Sequence, residues 1–174
     1  AWEYSFVGAY WDALSAWNGD REPETWSVED SLHFLGYQPI NALEFLKKSI
    51  PEERIVMINE AHHQPYHRAI MRSWLQTFYD AGYRYIGMET LSNKDPALQE
   101  RGYPVLQSGY YSIEPQFGNL IREAIAMGFT VFPYEAFGDK NGKEREIEQA
   151  ERVAERWRQD SLGKYLIYCG FGHI

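Results

Sequence analysis

Five residues in this sequence have the types and placement to carry chemistry: Glu60, His63, Glu89, Glu135 and His173. Each stands at or just past the end of a short apolar run. Helix capping alone would favour Asp, Ser or Thr rather than Glu at such positions. Glu60-Ala61-His62-His63-Gln64-Pro65-Tyr66-His67 sets three imidazoles around a turn that opens a helix, with Pro65 suited to its first turn. A helix N-terminus disfavours a protonated ring, so His63 is the expected general base, oriented by Glu60. If Glu60, Glu89 and Glu135 converge, their repulsion should raise at least one carboxyl pKa and supply an acid form. Gly170 and Gly172 permit close backbone approach before His173, an arrangement suited to an oxyanion site. His62, His67, Arg68, Tyr134 and Glu135 are the expected substrate-binding residues, with Arg68 rather than Arg72 as the anchor for an anionic group. His63 and His67 lie four apart and form an alternative metal pair, although Gln64 stands where the zinc-protease signature has Glu.

These side chains can meet only if several chain segments end at one edge. From Arg54 onward, short apolar runs alternate with helical stretches. Strands are expected at Ile55 to Asn59, Tyr83 to Met88, Thr130 to Tyr134 and Lys164 to Cys169, with helices at Tyr66 to Ala81, Pro115 to Met127 and Lys143 to Gln159. Right-handed crossovers then give a three-layer α/β/α fold with a parallel sheet of at least four strands, whose carboxyl edge collects the ionisable groups. Residues 1-53 read as a helical segment rich in Trp and Tyr that packs on the α/β domain of residues 54-174. Ser27 is its plausible internal helix start. Leu91 to Ser112 is too long for a plain connection, and its Tyr103, Tyr110 and Tyr111 could wall a pocket.

Composition narrows the function classes. The chain has 174 residues, 44% of them hydrophobic, enough for one core. A net charge of -8 and a pI near 5.1 argue against nucleic acid and anionic membranes as partners. The single cysteine, Cys169, lies in an apolar run and reads as a core residue. No membrane insertion is expected. A start at Ala1 fits a removed leader or a trimmed chain, leaving periplasmic, secreted and cytoplasmic locations open.

Ile58-Asn59-Glu60-Ala61-His62-His63, Gly87-Met88-Glu89 and Gly170-Phe171-Gly172-His173-Ile174, in that order, resemble the erythromycin-esterase and ChaN-like superfamily of bacteria, which includes haem-uptake and Tiki-type proteins. In the esterase branch a Glu and a His three positions later form the catalytic pair, which implies roles for Glu60 and His63. A later Glu and a distal His match Glu89 and His173. Asn59 in place of the usual Gly, and the extra His62, depart from that branch. Members generally continue past the last motif, so the resemblance implies a chain truncated at its C-terminus. The expected function is hydrolysis of an ester or amide bond in a small molecule or peptide. The alternative is a haem- or divalent-metal-binding uptake protein without catalysis, and a third reading is an inactive binding module using Trp2, Trp11 or Trp17.

Overall fold

The β-branched and aromatic runs form four strands, β1 (Ile55–Glu60), β2 (Tyr83–Met88), β3 (Thr130–Pro133) and β4 (Lys164–Gly170). The structure is a computed structural model that describes residues 1–19, 25–138 and 140–173; Ile174 of the terminal motif lies outside them. Described helices are α1 (Trp2–Phe6), α2 (Tyr10–Asn18), α3 (Val28–Leu35), α4 (Ala42–Ser49), α5 (Pro65–Asp80), α6 (Leu98–Arg101), α7 (Pro115–Met127) and α8 (Gly142–Gln159). The sheet runs β1-β4-β2-β3 with every pairing parallel.

Alternation along β4 divides the core. Leu166 and Tyr168 join the cluster built by α5 and α7, which includes Leu75, Phe78, Leu120 and Ile121. Tyr165, Ile167 and Cys169 face the other way, against Val153 and Trp157 of α8. The expected three-layer α/β/α architecture is therefore present. Its second face is left open at the edge: Ile55 and Met57 of β1 are 43% and 50% exposed. Beside them runs an apolar groove of about 520 Å³, walled by Ala154, Trp157 and Ile167 and reaching His173.

Ser27 starts α3 as expected, its hydroxyl accepting the Asp30 N–H at 3.0 Å. Packing of the N-terminal aromatics divides. Trp2 and Phe6 meet Tyr110 and Tyr111 edge-on, whereas Trp11 is 83% exposed and α3 buries no residue. The long segment after β2 is pinned rather than loose: Asp95 binds Arg101 and Ser108, and Gln99 bonds the backbone of Phe129 and Val131. Among the described residues, no helix is long and apolar enough to cross a membrane.

Candidate active site

Parallel strands deliver their ends to one edge. Glu60 stands opposite Gly170 across β1 and β4, and the Glu89 N–H, just past β2, donates to the Tyr168 carbonyl at 3.0 Å. Glu60 is buried. His62 Nδ1 lies 2.8 Å from its Oε1, Arg68 Nε and Nη2 donate to it at 2.5 to 3.0 Å, and the Tyr168 hydroxyl donates to Oε2 at 2.6 Å. Burial pushes the Glu60 carboxyl up, but these donors and the Arg68 charge outweigh it and hold it at about 2. Arg68 has no exposed surface. It reaches on to Glu114 at 3.1 Å and lies 5.0 Å from the centroids of both Tyr111 and Phe117. Glu114 in turn caps α7, accepting the N–H groups of Gln116 and Phe117 at 3.0 and 2.7 Å.

Because Glu60 is ionised, His62 Nδ1 carries the proton of the bond between them. His62 Nε2 lies 3.6 Å from Glu89 Oε2, and the ring, 22% exposed, stacks on Tyr111 at 4.5 Å. Gly170 makes the approach possible, since a Cβ there would lie 2.5 Å from His62 Nε2.

Glu89 holds the other half of the site. Its Oε2 accepts the Gly170 N–H at 2.5 Å, while Oε1 takes Arg145 Nη2 at 2.8 Å and His173 Nε2 at 3.0 Å. Burial raises its carboxyl, and these partners more than offset it, so the net shift is downward. Arg145 also grips Glu135 at 2.7 to 2.8 Å, lowering that carboxyl against the opposing effect of burial. His173 Nδ1 lies 2.8 Å from Glu146 Oε2. Burial pushes His173 down, but Glu146 and Glu89 outweigh it and the imidazole pKa rises above its ordinary value. Both ring nitrogens of His173 thus lie within hydrogen-bond distance of a carboxylate, and Nε2 also lies 3.5 Å from Arg145 Nη1.

The structure thus gathers Glu60, His62, Glu89, Glu135 and His173, and it corrects several expectations. His63 does not pair with Glu60; its ring is buried flat against Trp17, centroids 4.0 Å apart, and burial lowers its pKa. Arg68 cannot reach an anionic substrate because it is enclosed by Glu60 and Glu114. Tyr134 is buried too, its hydroxyl donating to the Tyr168 carbonyl at 3.2 Å. The Gly170 N–H is taken by Glu89 and is no free oxyanion donor. No carboxyl of Glu60, Glu89 or Glu135 is raised, because a guanidinium stands beside each.

Arg145 and Glu146 escaped the sequence reading. A signal existed: Arg145 lies in the first turn of α8, where the helix dipole disfavours a cation, so a tertiary carboxylate is needed to hold it. His62 carried no comparable signal, because β1 ends at Glu60 and the turn closed by the Gln64 N–H on the Ala61 carbonyl sets the direction of its ring.

The donor set does not fit a metal ion. His67 Nδ1 accepts the Ala61 N–H at 3.0 Å, which uses the only lone pair of a neutral ring. Among the described residues, no group of three or more His, Cys, Asp or Glu is arranged to hold an ion. Arg68 and Arg145 already occupy the cationic positions between the carboxylates. Cys169 is no nucleophile either: burial, with the carboxylates of Glu89, Glu146 and Glu60, pushes its thiol up to about 12.

No family model matches the sequence, and neither does any curated protein. Three solved structures share the fold. The type III effector HopBA1 aligns with a TM-score of 0.55 at 12% identity, over 75% of this chain and 72% of that one. The second is the C-terminal region of Pasteurella multocida toxin, whose structure is described as revealing a thiol-protease like catalytic triad. It aligns at 0.52 and 12% identity over 98% of this chain and 25% of that one. RRSP, a MARTX toxin effector domain from Vibrio vulnificus CMCP6, aligns at 0.53 and 17% identity over 99% and 35%. At these identities the likeness is one of fold.

Proposed function

We propose that the chain is a hydrolase of neutral ester or amide bonds, with His62 rather than His63 as its base. The observation that carries this is the pair of imidazoles flanking one carboxylate. His62 Nε2 and His173 Nε2 each face a different oxygen of Glu89, the first to act as the base and the second as the acid. A water placed against His62 Nε2 gives its proton to that nitrogen as its oxygen attacks the carbonyl carbon, and Glu60 holds the resulting imidazolium. His173 then donates its Nε2 proton to the departing oxygen or nitrogen. Glu89, kept ionised by Arg145, holds both rings in place. Five carboxylates (Glu60, Glu89, Glu114, Glu135 and Glu146) stand against two guanidiniums and one imidazolium, so the site disfavours an anionic substrate. The ordered motifs around Glu60, Glu89 and His173 support placing the chain near the erythromycin-esterase-like proteins, with the catalytic Glu-His spacing shortened to two.

The test is turnover of a neutral nitrophenyl ester and a matching anilide by purified wild type, His62→Gln and His63→Gln. His62→Gln is expected to lose about 100-fold or more in kcat, while His63→Gln keeps most of it. Equal losses in both variants, or full turnover by His62→Gln, would overturn the assignment.

A further inference from the structure

Thr90 follows Glu89 and adopts φ +66°; it is the one non-glycine residue with positive φ among the described residues. It is third in a four-residue turn closed by the Leu91 N–H on the Met88 carbonyl at 3.4 Å, a position where Gly or Asn is at ease with positive φ and a β-branched residue is strained. Its hydroxyl is buried and has no hydrogen-bond partner among the described residues. Two unfavourable features at one residue imply that its surroundings hold it there.

The holder is the segment around Gly109. Leu91 and Gly109 form an isolated antiparallel bridge, the Ser92 N–H donates to the Ser108 carbonyl at 2.8 Å, and a Cβ on Gly109 would overlap the Thr90 carbonyl. Two residues on, Tyr111 stacks on His62. One short stretch therefore presses on the turn that presents Glu89 and on the ring that faces it.

We propose that Thr90 is a positioning residue: clasped by Gly109, its left-handed backbone sets Glu89 between His62 and His173, while Tyr111 of the same segment sets His62. The inference rests on the proposed hydrolysis only for its turnover measurement.

Thr90→Gly removes the strain and frees the turn, whereas Thr90→Asn accepts positive φ with a narrower range of conformers. Thr90→Gly is expected to melt no lower than wild type, yet to move the His173 titration midpoint, read by NMR, back toward 6.5. It should also lower kcat by about tenfold at unchanged KM. Thr90→Asn should keep the wild-type midpoint and kcat. Wild-type midpoints and kcat in Thr90→Gly would overturn the proposal, as would an Asn variant that behaves like the Gly variant. If wild type hydrolyses no ester or amide, the proposed function fails, and the histidine titrations alone decide the role of Thr90.

Discussion

Glu60 and Glu89 are both buried carboxylates beside an arginine, and their surroundings give them different tasks. Glu60 is locked by Arg68, Tyr168 and His62, whereas Glu89 divides its oxygens between two rings and a backbone N–H. Arg68→Met should cost about 3–5 kcal/mol in urea unfolding, because it strands Glu60 and Glu114 without their shared cation; a cost under about 1 kcal/mol would mean those acids are not dependent on it. The imidazoles give a second check. His173 is raised and His63 lowered from 6.5, so their NMR midpoints should fall on opposite sides of that value. The corresponding stabilities have opposite signs. That from His173 is present below its unfolded value and lost as pH rises through the folded one, whereas that from His63 is present above its unfolded value and lost as pH falls through the folded one. Glu60 adds stability above its ordinary 4.5 that is lost as pH falls toward about 2. Glu146→Gln should bring the His173 midpoint down.

At the scale of elements, α7 joins the fold to the site, since the residue that caps it also anchors Arg68. Glu114→Gln keeps one acceptor oxygen, enough for either the Gln116 or the Phe117 N–H, and removes the charge, whereas Glu114→Ala loses both oxygens. The Ala variant should be the less stable by about 1 kcal/mol in urea unfolding, the usual worth of a cap. The strands and the helices after them were legible in the sequence because period two and period 3.6 are local properties, and they placed Glu60, Glu89, Glu135 and His173 at one edge. The partner of each acid was less legible. Side-chain direction in the turn after β1 decides between His62 and His63, and long-range charge pairing decides where Arg68 and Arg145 go. Both depend on tertiary packing, as with Arg145, which reaches Glu89 from 56 positions away.

The whole molecule is acidic, and its site has more carboxylates than cations. Neutral esters should therefore turn over faster than matched carboxylate-bearing ones, and added salt should narrow the gap by screening; equal rates at low salt would show that the field does not reach the substrate. The open side of the sheet at β1 has a different consequence, one for the spectroscopist. Anilinonaphthalene sulfonate, a dye whose emission brightens on apolar surfaces, should fluoresce with this protein while its near-ultraviolet circular dichroism is fully native. Such a signal would report the trough beside Ile55 and Met57 rather than a molten state, and Ala154→Glu, which sets a like charge against the sulfonate, should dim it without moving the melting transition.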